Sequence, residues 1–241
     1  MAKKGNTDNN WVSLSDMMTV LMVIFLLISV SYLMKIQDEK KNQDEIFEEF
    51  KATKEKLYAE LENEFKDDFK DWKVELDKDL SIKFTNPDVL FQSGRAEIRP
   101  NFETILNEFL PRYFNILLKD EYRERISEIR IEGHTDAVPA PQFDSDPYIG
   151  NIKLSQMRSA EVLKHFRRMD YFQNLSNTEE QQLQFWLTAN GLSYGRTLDS
   201  NKQLTAISGN PANNEYSRRV EFRIVTTSEE LVEKVIERMS K

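Results

Sequence analysis

The sequence predicts an α/β protein in three parts: a single N-terminal transmembrane helix, a long helical stalk and a C-terminal α/β sandwich domain. Three observations predict it. Residues 11–34 form one apolar run whose only charge is Asp16. Residues 36–80 contain no Gly or Pro and are dense in Glu, Asp and Lys, the composition of a long solvated helix. Beyond Leu80, short strand-like runs alternate with apolar residues at helical spacing. The expected segments are a tail over 1–10, the span over 11–34, the stalk over 35–79, the domain over 80–227 and a last helix over 228–241.

At about 1.5 Å per residue, the run from Trp11 to Met34 can cross a hydrocarbon core of about 30 Å. Lys3 and Lys4 precede it and no small-residue cleavage site follows, which reads as an uncleaved signal anchor. Lys35, Lys40 and Lys41 stand on its other side, so flanking charge alone does not orient it. Ionisable groups inside spanning helices are rare and mark ion or proton paths, which makes Asp16 a candidate ion carrier. Ser13, Ser15 and Thr19 lie near it on the helix. Their hydroxyls could support an ion at Asp16 or could bond their own backbone carbonyls. Met17, Met18 and Met22 read as packing residues.

Composition removes several function classes. The chain has no cysteine, so disulfides and thiolate metal sites are excluded, and two histidines, His134 and His165, leave little material for a zinc centre. With 41 acidic against 33 basic residues the net charge is -8, which argues against a nucleic-acid-binding surface.

Within the stalk, Phe47, Tyr58, Phe69 and Leu80 recur every eleven residues, as do Phe50, Leu61 and Trp72, and Phe65 and Leu76. An eleven-residue repeat keeps a seam on one helix face in a nearly straight or slightly right-handed coil. Dimerisation buries such a seam most simply, so a parallel dimeric stalk is expected; the alternative is one amphipathic helix laid against its own domain or a partner.

The domain opens with a strand at Leu80–Phe84, which the Asn86-Pro87 pair breaks. Pro100 suits a first helical turn, and Phe102, Ile105, Leu106, Phe109 and Leu110 follow at helical spacing. Ile126, Ile129 and Ile131 make a strand that runs into Gly133. A helix is expected from about Leu154 to Arg168, a strand over Gln184–Ala189 and an alternating strand over Arg219–Thr226. Ser228 then caps a last helix that carries Leu231, Val232, Val235 and Ile236. This order implies a small sheet with its helices on one face.

Four blocks in sequence order carry a resemblance: Phe91-Gln92-Ser93-Gly94-Arg95-Ala96, Ile131-Glu132-Gly133-His134-Thr135-Asp136, Asn151-Ile152-Lys153-Leu154-Ser155-Gln156-Met157-Arg158 and Ser217-Arg218-Arg219-Val220-Glu221-Phe222. Together they resemble the OmpA-like peptidoglycan-binding domain. The resemblance implies a periplasmic domain holding the diaminopimelate of a peptide stem, with Asp136 receiving its ammonium group and Arg158 its carboxylate. Thr135, Asn151 and Leu154 would line the same pocket. The chemistry is sound by itself: an amino-acid terminus carries both charges, and a guanidinium grips a carboxylate with two parallel hydrogen bonds. The bland alternatives are an exposed helix residue for Arg158 and a turn cap for Asp136. Ser159 departs from the family's usual alanine, and the loop from Ala137 to Gly150 is long, with Pro139, Pro141 and Pro147. Asp144 and Asp146 on that loop fall short of a calcium ligand set and read as a solvated turn.

The span, from Trp11 to Leu26, resembles the membrane helix of MotB-type stator subunits, which places their ion-carrying aspartate at Asp16. Leu14-Ser15 stands where flagellar stators have an aromatic-alanine pair. With its long charged stalk the chain is more similar to the ZorB-type subunits of Zorya anti-phage defence systems. The resemblance implies a MotA/ZorA-like multi-span partner, a pentameric ring around a dimer of this chain. It also implies transport of H⁺ or Na⁺ with no other cofactor. The location implied is the inner membrane, with a cytoplasmic N-terminus and a periplasmic domain. A flagellar-type stator and a passive peptidoglycan tether stay open as alternatives. An enzyme finds little support, because no catalytic triad motif or carboxylate pair is legible.

Overall fold

A computed structural model describes residues 8–85 and 90–227, with side chains from Ser15 onward except at 46, 49 and 50. The Asn86-Pro87 break, residues 1–7 of the expected tail, the side chain of Phe50 and the expected helix over 228–241 lie outside these residues. The chain divides into two compact units, Met1–Glu49 and Phe50–Lys241.

The first unit holds most of helix α1, Asp8–Phe65. Its stretch Ser15–Glu45 is long and apolar enough to cross a membrane, and none of the apolar window is buried by the protein itself.

The second unit begins in the same helix and corrects the stalk expected over 35–79. Helix α1 stops at Phe65, a short helix α2 follows at Phe69–Trp72, and the chain enters the sheet as β1, Val74–Leu76, and β2, Ser81–Phe84. The physical reason is burial within the domain. Leu57, Leu61 and Phe65 are fully buried in its core, while Tyr58, Phe69, Trp72 and Leu76 pack against it. The Phe65 ring lies 6.2 Å from Trp72 and 5.1 Å from Phe109. From Leu57 onward, the eleven-residue seam is covered by the chain's own domain and not by a second copy, which corrects the dimeric stalk expected there. Lys73 and Leu80 take the left-handed conformation, φ 52° and 65°, so a segment without Gly or Pro still turns. Ion pairs flank the docked turns: Lys56 with Glu121, Lys119 with Glu60 at 2.6 Å, and Arg112 with Glu64 at 2.7 Å and Asp68 at 2.8 Å.

The remaining elements are α3 (Pro100–Leu117), α4 (Asp120–Arg123), β3 (Ile126–Gly133), α5 (Pro147–Arg168), α6 (Asp170–Gln173), α7 (Asn177–Trp186), β4 (Leu187–Gly191), α8 (Thr205–Ser208), α9 (Asn214–Ser217) and β5 (Val220–Thr226). The strand expected over Gln184–Ala189 is corrected. Ser176 and Glu179 form a capping box that starts α7, and Leu183 and Trp186, three residues apart, bury one side of that helix. β4 begins only at Leu187. Helix α5 starts seven residues before Leu154, because Asp146 caps it by accepting from the Tyr148 and Ile149 amides at 2.8 and 3.1 Å.

The five strands run in the order β1-β2-β5-β3-β4, with β3 and β4 parallel and the other pairs antiparallel. Gly133, Ile131 and Ile129 of β3 stand opposite Val220, Phe222 and Ile224 of β5. Side chains alternate along strands, so these residues share one face. That face meets the helices: Phe222 lies 5.2 Å from Phe109 and 5.9 Å from Tyr113 of α3. The opposite face of the same two strands is charged, with Arg130 opposite Arg223 and Glu132 opposite Glu221.

Candidate functional site

Two glycines set the site by letting α5 lie directly on the sheet. A Cβ on Gly133 would stand 2.2 Å from the Ser155 carbonyl oxygen, and one on Gly191 would stand 2.4 Å from the Gln156 amide nitrogen. Backbone contact of this kind is available only to glycine. It brings Asn151, Leu154 and Arg158, which recur along one side of α5, to the loop that leaves β3 through Thr135 and Asp136.

These five residues line one cavity of about 310 Å³, together with Leu90, Phe91, Val138 and Arg218 among others. Asp136 is buried, and its two oxygens differ. Oδ1 accepts from the Val138 amide at 3.1 Å, and Oδ2 accepts from Arg218 Nη1 at 2.8 Å. Arg158 is also buried, its Nε donating to the Arg95 carbonyl at 3.0 Å and Nη2 to the Gln92 carbonyl at 3.4 Å. The guanidinium carbon sits 5.0 Å from the Phe91 ring centre, a cation–π contact. Burial, with the nearby Arg218 charge, pushes the Arg158 guanidinium down to about 10 against the pull of Asp136, which leaves it charged at neutral pH. The exposed-helix alternative for Arg158 is therefore excluded, and Asp136 combines its turn bond with a second oxygen paired to Arg218.

The other expected residues divide in role. The Thr135 hydroxyl is buried at the cavity without a hydrogen-bond partner among the described residues. Such a group is costly unless a ligand or water satisfies it. Asn151 spends its amide hydrogens on the Val138 and Pro147 carbonyls at 2.9 and 3.0 Å, so it pins the 137–150 loop. That loop contributes Val138, Pro139, Ala140 and Gln142 to the cavity wall. Asp144 pairs with Lys153 at 2.6 Å and Asp146 caps α5.

Arg218 is the residue without an assigned role in the sequence reading. Its signal was the adjacent arginines ahead of β5, but its pairing with Asp136 joins residues 82 apart and follows from the fold. The neighbouring Arg219 serves a different network. Glu132 and Glu221 face each other across β3 and β5, which like charges alone disfavour. Arg219 Nε donates to Glu221 Oε1 at 2.5 Å, and His134 Nε2 lies 3.5 and 3.6 Å from the two carboxylates. Burial, reinforced by Arg219, lowers the His134 pKa. Glu132, His134 and Glu221 have donor atoms within 4.8 Å of one another, the spacing of a metal site. With Arg219 already on Glu221 and Arg196 Nη1 3.6 Å from Glu132, each carboxylate has its own arginine and the group serves as a balanced charge cluster.

On the span, Asp16 and Ser15 are exposed side chains of α1, and Thr19 donates its hydroxyl to the Ser15 carbonyl at 2.8 Å. The Thr19 hydroxyl is thus used on its own helix backbone. The fold and the cavity define the class: a protein with, among the described residues, one apolar helix long enough to span a membrane, and a C-terminal mixed α/β domain. No protein-family model matches the chain. It is 35% identical over 239 residues to the Zorya protein ZorB of Escherichia coli, covering 98% of this chain and 96% of that protein. The chain therefore belongs to the ZorB family of Zorya proteins. Among solved structures it is similar to the cell wall anchor of the T6SS from Pseudomonas aeruginosa, at 23% identity and TM-score 0.44, covering 69% of this chain and 96% of that one. It is also similar to the periplasmic domain of Helicobacter pylori MotB, at 17% identity and TM-score 0.40, covering 66% and 85%.

Proposed function

We propose that this chain is the ion-carrying, wall-anchored subunit of a Zorya membrane motor that acts in anti-phage defence. The observation that carries it is the union, on one chain, of Asp16 in an apolar span with a cavity where Asp136 and Arg158 are buried together. In this reading the cavity takes the free amino-acid terminus of a peptidoglycan stem. Arg158 grips the carboxylate, Asp136 takes the ammonium, and the Thr135 hydroxyl gains the partner it lacks among the described residues. The domain is then periplasmic and the N-terminus cytoplasmic, in a single-pass inner-membrane protein.

Asp16 takes up and releases H⁺ or Na⁺ where a MotA/ZorA-like ring of multi-span subunits covers a dimer of this chain. A neutral carboxylic acid crosses a seal that a carboxylate cannot. One charge moving down 100 mV releases roughly 2.3 kcal/mol, enough to bias a rotation step. With the ring free to turn and this subunit held by the wall, ion flow becomes torque.

The test uses full-length chain with its neighbouring membrane subunit in cells challenged by phage. Asp16→Asn abolishes protection while membrane level and co-sedimentation with cell-wall sacculi stay unchanged. Arg158→Ala loses sacculus co-sedimentation. Protection that survives Asp16→Asn would sink the motor and leave a passive tether.

A further inference from the structure

Four arginines, Arg99, Arg158, Arg218 and Arg219, line the cavity beside a single carboxylate, Asp136, within a chain whose net charge is -8; Arg219 is paired with Glu221, and Arg158 and Arg218 are the two whose charges act with Asp136. A zwitterionic amino-acid terminus adds no net charge, so it leaves one of these guanidinium groups without a counter-ion. The two arginines are also held very differently. Arg158 is buried, tied to two carbonyls and stacked on Phe91. The Arg218 side chain is 34% exposed, and its guanidinium makes one hydrogen bond among the described residues, to Asp136 Oδ2. Asp136 Oδ1 serves the Val138 amide and Oδ2 serves Arg218, so an arriving ammonium must share this one carboxylate with Arg218. Two cations on one carboxylate repel, and the exposed arginine is the one able to leave.

We propose that Arg218 is a second carboxylate-binding arm of the pocket: it releases Asp136 to the ligand's ammonium and closes on another carboxylate of the same peptide. The ligand class becomes an acylated stem peptide with one free ammonium and at least two carboxylates, in preference to a simple zwitterionic terminus. This inference rests on the wall-binding reading above. Exchange of one ion pair for another keeps both guanidinium groups neutralised in the complex, which a buried site requires. It also makes Arg218 a determinant of specificity, because an amidated peptide leaves it unpaired.

The experiment is titration calorimetry of the full chain in nanodiscs. The probes are the N-acetylated tripeptide Ala-γ-Glu-diaminopimelate and its two monoamides, one at the glutamyl α-carboxyl and one at the carboxyl of the peptide-linked diaminopimelate centre. With unaltered protein, one monoamide binds at least about tenfold more weakly than the parent, the scale of a lost charge-assisted hydrogen bond. Arg218→Gln binds the parent with that same reduced affinity and no longer distinguishes it from that monoamide. Equal binding of the parent and both monoamides by the unaltered chain, which requires no variant to fold, overturns the inference and leaves wall binding intact. So does discrimination that survives in Arg218→Gln. Binding of none of the three peptides overturns the wall-binding reading itself.

Discussion

Leu21 and Leu61 are the same residue type on the same helix, yet Leu21 is 68% exposed and Leu61 is fully buried. Both belong to regular apolar patterns, and the patterns differ in kind. Around Leu21 every face of α1 is apolar, which calls for a non-aqueous surrounding on all sides. Around Leu61 one stripe is apolar and the rest charged, so one covering surface suffices, and the domain supplies it, with Trp72 and Phe109 packed on Phe65 of the same stripe. Periodicity states how much of a helix must be covered. It does not state by what, which is why the stripe alone fits a second copy of the chain as well as its own domain.

Substitutions at the two leucines sharpen that contrast most. Leu61→Ala should lower the unfolding free energy of the domain by about 2–5 kcal/mol, since it opens a cavity in a closed core. Leu21→Ala should leave the same transition unchanged. Circular dichroism melts of the full chain in detergent read both. If Leu61→Ala proved as silent as Leu21→Ala, the docking of α1 onto the domain would be refuted and the free stalk restored.

Gly133→Ala comes next, at roughly 1–3 kcal/mol, the scale of overpacking. Its new methyl would meet the Ser155 carbonyl oxygen, so α5 must lift from β3. Arg158 rides on α5 and Asp136 follows β3, so the substitution should also weaken binding to sacculi. A melt combined with a sedimentation assay separates this from Leu61→Ala, which lies away from the cavity lining.

The same contrast marks what was legible in the sequence. Helix α3 and strands β3 and β5 could be read because their apolar periods are strong: Phe102, Leu106 and Phe109 for the helix, Val220, Phe222 and Ile224 for the strand. Residues 66–79 could not, because Lys73 makes a left-handed turn that no Gly announces. Residues 184–186 could not either, because Trp186 ends a helix where the next residue begins a strand. In the site, Asp136 and Arg158 were legible from the motif blocks. Arg218 acquires its role only when β5 pairs beside β3, a long-range fact that local pattern does not carry.

The smallest effect isolates the domain's buried charges. His134 is enclosed by Glu132, Glu221 and Arg219, and burial together with Arg219 holds its pKa below the ordinary value of about 6.5. The folded chain thus binds a proton at His134 less readily than the unfolded chain. Stability rises with pH where the unfolded state holds more protons, so this contribution is complete above about pH 6.5 and declines as pH falls from there toward the folded pKa. The limiting slope is about 1.4 kcal/mol per pH unit. Denaturant titrations between pH 7.5 and 5.5 should show the decline, and His134→Gln should flatten it while keeping a polar side chain in the cluster. A full slope retained in His134→Gln would assign the pH response to His165, whose pKa burial also lowers, since Glu132 and Glu221 are held below the ordinary carboxylate range and change charge only beneath this window.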